Sequence, residues 1–159
     1  MTEVLARDIL MLARERGATI TTAESCTGGK VSAAITDVAG SSDIFHRGFV
    51  TYSNAAKQDL LGVRGETLSL HGAVSEQVVR EMAEGARVAA EADFAVAISG
   101  VAGPGGSELK PDGMVCFALA SATDTISETV EFGALGRGNV REAATHHALE
   151  LLQDALSED

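Results

Sequence analysis

The chain has no tryptophan, one tyrosine, two prolines and two cysteines among its 159 residues. Two cysteines suit a reducing compartment, and no spacing of cysteine and histidine indicates a zinc site. No apolar run reaches the roughly 18 residues that a membrane-spanning helix needs. Residues 1–16 carry charges among their apolar positions, which indicates an amphipathic helix and not a signal peptide. These absences predict a cytoplasmic protein without a metal ion or a membrane partner.

Positive charge is also scarce, because 12 lysines and arginines stand against 23 acidic residues and give a net charge of −11. An acidic surface without a basic run repels phosphate backbones, so a nucleic-acid partner is disfavoured. A small anionic substrate remains possible where local positive groups meet it. The candidates for that task are Lys30, Lys57, Lys110, Arg47, Arg137 and Arg141.

Apolar periodicity alternates between helical and strand-like segments along the chain. Strands are predicted over residues 18–22, 45–52, 94–98, 114–120 and 126–132. Helices are predicted over residues 5–12, 31–38, 55–61 (capped by Asn54), 78–86 (capped by Ser75) and from Asn139 onward. The length and the hydrophobic content of 45% suit a single domain spanning residues 1–159. The alternation predicts an α/β fold, with a mostly parallel, mixed sheet covered on both faces and followed by a C-terminal hairpin and helix.

Unusual residues follow three of the predicted strands. Ser25 comes after the first strand, Tyr52 and Lys57 come after the second, and a glycine-rich stretch over residues 99–107 comes after the third. In sheets of this type, ligands bind beyond the carboxyl ends of the parallel strands. The sequence therefore predicts that these segments share one edge of the sheet.

Residues 24–29 place a serine beside a thiol and two glycines at the start of a helix. Peptide N–H groups at such a turn favour negative charge, so the segment can provide a nucleophile together with an oxyanion site. Ser25 is the candidate nucleophile, and the amides of Thr27, Gly28 and Gly29 are the candidate oxyanion donors. An ordinary strand-to-helix turn, with Ser25 or Thr27 as the helix cap, is the alternative.

A serine nucleophile needs a base, and none of the four histidines lies beside an obvious acidic partner at a strand end. Lysine can act as the base where burial lowers its pKa towards neutrality. Lys57 is the candidate, with Tyr52 beside it. The alternative is that Lys57 is a solvated helix residue and Tyr52 a core aromatic residue.

The glycine-rich segment predicts an anion site, because backbone amides in such a loop can surround a phosphate. It matches neither the P-loop nor the dinucleotide-binding pattern, and a plain flexible loop is the alternative. Arg137, ahead of the last helix, can bind an anion through its guanidinium group. The candidate substrate- and phosphate-binding residues are Ser99, Gly100, Ala102, Gly103, Gly105, Gly106 and Arg137.

Four motifs in this order, over residues 21–29, 47–54, 71–75 and 99–106, closely resemble the nicotinamide-nucleotide amidase family, also known as the CinA C-terminal domain family. The resemblance implies a three-layer α/β/α domain that converts nicotinamide mononucleotide to nicotinate mononucleotide and ammonia, in pyridine-nucleotide recycling. It also implies that Ser25 is the nucleophile, that Lys57 and Tyr52 assist it, and that no metal or cofactor is needed. It further suggests the stand-alone form of the domain.

Two other functions remain open on the sequence alone. Cys26 can be the nucleophile of a thiol amidase, since a helix N-terminus lowers a thiol pKa. A non-catalytic nucleotide-binding or regulatory module is the second, with Lys57 pairing a phosphate. In each case we expect a small-molecule nucleotide ligand and a homo-oligomer.

Overall fold

One mixed sheet organises residues 2–158, the part of the chain that the computed structural model describes. The strands are β1 (Ile20–Glu24), β2 (Phe49–Val50), β3 (Phe94–Gly100), β4 (Met114–Ala120) and β5 (Thr125–Glu131). The helices are α1 (Thr2–Arg16), α2 (Lys30–Thr36), α3 (Asn54–Leu61), α4 (Gly65–His71), α5 (Glu76–Ala90) and α6 (Arg137–Ser157), with a 3₁₀ turn at Ser41–Asp43. None of these described helices is long and apolar enough to cross a membrane.

The strand order β2-β1-β3-β4-β5 confirms the predicted mixed sheet. Strands β1, β2 and β3 are mutually parallel, whereas β4 and β5 are antiparallel and form the predicted hairpin. The carboxyl ends of the three parallel strands therefore lie at one edge. That edge receives the three segments which the sequence analysis places together.

The two faces of the sheet carry side chains of different size, because alternate residues of a strand point to opposite faces. Large residues such as Ile98 and Phe117 pack on α1, α2 and α6 on one side. Alanines, including Ala97 and Ala118, meet α3, α4 and α5 on the other side. Two buried clusters, one on each face, give the three-layer α/β/α arrangement.

Helices α3 and α5 touch through their backbones. A Cβ atom added at Gly85 would lie 1.9 Å from the Leu61 carbonyl oxygen, far inside contact distance. Only glycine fits at that position of α5. Because α3 also carries Lys57, the close contact between α3 and α5 helps to position the buried lysine side chain.

The element boundaries differ from the predictions in several places. The strand predicted over residues 45–52 pairs only at Phe49–Val50 and in a single bridge at Phe45. Between them the chain stays beside β1, where the Arg47 carbonyl accepts from the Thr21 hydroxyl (2.8 Å). Helix α4 was not predicted, since it is short and buries only Thr67 and Leu68.

Two predicted helix caps are also wrong. Ser53, not Asn54, caps α3 by accepting a hydrogen bond from the Ala56 amide (3.0 Å). Helix α6 begins at Arg137 and not at Asn139, whose side chain donates to the Leu135 carbonyl (3.0 Å). Ser75 caps α5 as predicted. For α3, two neighbouring polar residues offer the same capping chemistry, and only the backbone path selects Ser53. For α6, the residue before the helix is Gly136, which has no side chain to cap it.

Candidate active site

The first strand leads directly into the turn that carries Ser25. The Ser25 amide donates to the Ile98 carbonyl of β3 (2.9 Å), so the residue is fixed to the sheet as the chain leaves it. Gly28 and Gly29 then take left-handed backbone conformations, with φ of 59° and 109°, which glycine adopts at little cost. This turn starts α2 and leaves Ser25 only 8% exposed at the edge of the sheet.

Glu24, the last residue of β1, holds the turn in shape from a fully buried position. Its Oε1 accepts hydrogen bonds from the Thr27 hydroxyl (2.6 Å) and from the amides of Gly29 (3.2 Å) and Val31 (2.9 Å). Its Oε2 accepts from the amide (3.0 Å) and the hydroxyl (2.8 Å) of Ser32. An ionised carboxylate only accepts, and it complements the positive end of a helix. This role was not predicted, although an acidic residue between a buried strand and a glycine turn could have indicated it.

Lys57 reaches Ser25 from α3. Its side chain is 1% exposed, and Nζ donates to Ser25 Oγ (2.9 Å) and to the carbonyl oxygens of Thr51 (2.8 Å) and Tyr52 (3.2 Å). Burial lowers the pKa of Lys57 below its usual value, because a charged amine loses its water there. The predicted contact between the serine and the lysine is therefore present, in a setting that favours a neutral amine.

The Tyr52 hydroxyl points to a different partner from the one we expected. It accepts a hydrogen bond from Nη2 of Arg137 (2.9 Å), and its contact with Lys57 is made by the main-chain carbonyl alone. Nη1 of the same guanidinium donates to the Gly103 carbonyl (3.0 Å). Arg137 thus bridges the segment after β2 and the glycine-rich loop.

A cavity of about 200 Å³ brings most of the predicted residues together. It is lined by Ser25, Cys26, Tyr52, Lys57, Ala73, Val74, Ser99, Gly100, Ala102 and Arg137. Gly105 and Gly106 lie outside this lining, and the Gly106 amide is already bonded to Asp112 Oδ1 (2.7 Å). A larger cavity of about 380 Å³ lies near the other end of β3, around Arg16 and Phe94, away from this chemistry.

Comparison with known proteins identifies the family of the chain. The family model described as the CinA C-terminal domain matches residues 2–156 of the chain. The chain belongs to this family. The resemblance that the four motifs suggested is thereby confirmed.

Individual members of the CinA family are similar to the chain along nearly its whole length. It is 57% identical over 149 residues to the nicotinamide-nucleotide amidohydrolase PncC of Escherichia coli K12, covering 93% of the chain and 90% of that protein. It is 52% identical over 164 residues to a putative competence-damage inducible protein of Symbiobacterium thermophilum, of which the match covers 38%. The crystal structure of the competence/damage inducible protein CihA from Agrobacterium tumefaciens superposes with a TM-score of 0.95 at 46% identity, over 99% of the chain and 96% of that protein.

In the turn that carries Ser25, not every main-chain amide is available to bind an oxyanion. Gly28 N–H donates to the Ser25 carbonyl (3.1 Å), and Gly29 N–H donates to Glu24. Within residues 2–158, the Thr27 amide donates no hydrogen bond. Of the three donors predicted from sequence, Thr27 is therefore the one whose amide is unpartnered, although the residue is fully buried and is not among those that line the cavity.

Cys26 lies beside the serine but in an unreactive state. The residue is buried, and burial raises the pKa of its thiol to about 11. Because the thiolate is the nucleophilic form, this environment disfavours attack by sulfur. Arg141 of α6 fixes the same turn by donating to the carbonyl oxygens of Cys26 (3.0 Å) and Thr27 (3.2 Å), so it serves the turn and not an anion.

Proposed function

We propose that the chain hydrolyses the carboxamide of nicotinamide mononucleotide, giving nicotinate mononucleotide and ammonia, through an acyl-enzyme on Ser25. The observation that carries the proposal is the buried contact of 2.9 Å between Ser25 Oγ and Lys57 Nζ. The name of the Escherichia coli relative, a nicotinamide-nucleotide amidohydrolase, supports the choice of substrate. Burial of Lys57 argues against the alternative in which this lysine pairs a phosphate in a non-catalytic module.

Lys57 acts as the general base in its neutral form. A neutral amine has two N–H donors and one lone pair, whereas the three contacts of Nζ are Ser25 Oγ and two main-chain carbonyls. In the neutral amine, the carbonyls of Thr51 and Tyr52 take the two N–H groups, so the contact with Ser25 reverses and the hydroxyl donates to the lone pair of Nζ. Proton transfer from Ser25 to Lys57 then needs no rearrangement of either side chain.

The chemistry continues from this arrangement with every proton accounted for. Ser25 Oγ attacks the carboxamide carbon, and the Thr27 amide stabilises the oxyanion that forms. When the C–N bond breaks, Lys57 returns its proton to the departing nitrogen, which leaves as ammonia. A water molecule then gives a proton to Lys57, attacks the acyl carbon and releases nicotinate mononucleotide. Lys57 finally reprotonates Ser25.

The rest of the cavity binds the remainder of the nucleotide. Arg137 holds the phosphate, because its guanidinium lies at the cavity and matches the geometry of phosphate oxygens. Ser99, Gly100 and Ala102 contact the substrate from the wall that they form. The remaining glycines of the loop, Gly103, Gly105 and Gly106, allow it to approach the phosphate closely.

Ammonia release from nicotinamide mononucleotide, nicotinamide riboside and nicotinamide tests this proposal directly. We expect turnover of the mononucleotide, much weaker turnover of the riboside and least of the free amide, because remote binding energy positions the reacting group. Hydroxylamine should intercept the acyl-enzyme and yield the hydroxamate. Binding of the mononucleotide without ammonia release would favour the non-catalytic alternative, and equal efficiency on the riboside would reject the phosphate site.

The biological setting is proposed on the same grounds. The reaction would recycle pyridine nucleotides in the cytoplasm, where such nucleotides are made and consumed. The expected homo-oligomer stays a prediction, and light scattering on the purified chain measures it.

A further inference from the structure

Tyr52 is fixed by hydrogen bonds at its main chain and at its hydroxyl, while its ring remains exposed. Its main-chain carbonyl accepts from Lys57 (3.2 Å), and its hydroxyl accepts from Arg137 (2.9 Å). The residue is nevertheless 60% exposed and lines the cavity that holds Ser25. A large ring held in place beside a nucleophile, and left accessible, is suited to contact a ligand.

Within the described residues, the Tyr52 ring makes no ring–ring contact and has no cation over its face. Among residues 2–158, ring–ring contacts join Phe117, Phe132 and His147, and the one cation over a ring is Arg16 on Phe94. The other walls of the cavity near the serine are aliphatic or main chain, including Ala73, Val74 and Ala102. Tyr52 is thus the only aromatic side chain that lines the cavity.

The charges around the ring leave its face available to a cation. Burial lowers the pKa of Lys57, which disfavours a positive charge on this amine beside the serine. Arg137 binds the hydroxyl at the edge of the ring, and its other anchor is the Gly103 carbonyl. Repulsion between Arg137 and a second cation is weaker at the ring face, which lies farther from the guanidinium and whose electron density attracts a cation.

We infer that the Tyr52 ring recognises the fixed positive charge of a pyridinium ring, and that it selects N-substituted pyridinium carboxamides over uncharged rings of the same shape. This inference rests on the proposed amidase function and names the ligand property that the site selects. It also assigns Tyr52 a role in specificity, beside the assistance to Ser25 that the family resemblance implies.

The expected effect is moderate. Cation–ring attraction ranges from weak at exposed sites to stronger where water is excluded, which corresponds to about 2- to 30-fold in affinity. The hydrogen bond from Arg137 draws electron density from the ring, so we expect the lower half of this range.

The test compares nicotinamide mononucleotide with its reduced form, which keeps the carboxamide, ribose and phosphate but has an uncharged dihydropyridine ring. Dissociation constants are measured by calorimetry in the Ser25→Ala background, where hydrolysis does not interfere. Three side chains are compared at position 52: the native tyrosine, Tyr52→Phe, which keeps a ring, and Tyr52→Leu, which keeps only apolar bulk. Because the position is mostly exposed, circular dichroism should show the same fold in all three.

We expect tyrosine and phenylalanine to prefer the charged form by a similar factor, and leucine to bind both forms about equally. An unchanged preference in Tyr52→Leu would overturn the inference. If Tyr52→Phe lost the preference for the charged form as completely as Tyr52→Leu, the inference would also be overturned. The hydroxyl and its contact with Arg137 would then be responsible for that preference. Ammonia release by the unmodified chain is assayed in parallel, so failure of the proposed function appears separately, as absent turnover.

Discussion

The two sides of the cavity are built in opposite ways. The nucleophile side, formed by Glu24, Ser25 and Lys57, is buried, and its polar groups are bonded to one another or to main chain. The loop side, residues 100–113, is rich in glycine and is exposed over residues 104–109, with Leu109 86% exposed. Few side chains connect it to its surroundings. Arg137 donates a hydrogen bond to the Gly103 carbonyl, and Lys110 donates one to the His71 carbonyl (2.6 Å).

The difference follows from what each side has to do. A lysine base requires a lowered pKa, and burial lowers it by removing water from the charged amine. A site that admits a nucleotide phosphate requires access and adaptable backbone amides. We therefore expect substitutions on the nucleophile side to lower kcat and those on the loop side to raise KM.

The largest effect should come from removing the reacting pair. Ser25→Ala and Lys57→Ala should each lower kcat by about 10³- to 10⁶-fold, and the double variant should be little worse, because members of one catalytic unit are not additive. Ammonia release measures this effect. Lys30→Ala is the matched control, since Lys30 is partly exposed and pairs with Glu142 (2.6 Å). High activity in Lys57→Ala would contradict the assignment of the base.

The pH profile should report the buried lysine. Activity requires neutral Lys57, whose pKa is lowered from 10.5 by burial, so protonation should inhibit the enzyme as pH falls through the lowered value. Below that value, kcat/KM should drop about tenfold per pH unit. Lys57→Arg should be inactive over the whole range because guanidinium stays charged. A flat profile across the acidic and neutral range would argue for another base.

Arg137→Ala tests the loop side. Loss of a charged hydrogen bond should raise KM for the mononucleotide by about 10- to 100-fold, while the riboside, which lacks the phosphate, should be affected far less. Arg47→Ala provides the control, because Arg47 donates only to the Ala89 carbonyl (3.4 Å) away from the cavity. Equal losses on both substrates would show that Arg137 holds the loop and does not bind phosphate.

Gly85→Ala disturbs the nucleophile side from a distance. The added Cβ meets the Leu61 carbonyl, so α3 must move and the free energy of unfolding should fall by about 1–3 kcal/mol. Because α3 carries Lys57, kcat should fall as well. Gly138→Ala in α6 is the control, since nothing lies within 4 Å of its Cβ position. Chemical denaturation and ammonia release together show whether stability and activity change in step.

Cys26→Ala should have the smallest effect on rate. The thiol is buried and protonated, with a pKa of about 11, so its loss removes packing but no nucleophile, and kcat should change by less than about threefold. Ammonia release by the Cys26→Ala variant, measured at fixed times or continuously, checks this prediction. An inactive Cys26→Ala beside an active Ser25→Ala would move the nucleophile to the sulfur.

Much of the site was predictable because it depends on strand ends. Parallel β-α-β connections place the carboxyl ends of successive strands together, so Ser25, Lys57 and residue 99 onward could be assigned to one edge from their order in the chain. Glu24 was missed because its role depends on five donors that only the folded turn assembles. The hydrogen bond between the Tyr52 hydroxyl and Arg137 was not predicted, because the two residues lie 85 residues apart in sequence.

The sequence by itself determined the alternation of elements, the mixed sheet and the meeting of serine with lysine, since these follow from local periodicity and from the handedness of strand crossovers. Only the folded chain sets which groups are buried and which are accessible. Packing buries Lys57 and Cys26 and shifts their pKa values in opposite directions, while it leaves the Tyr52 ring accessible. Burial depends on neighbours that are distant in sequence, such as α5 against α3, and no local pattern specifies their distance.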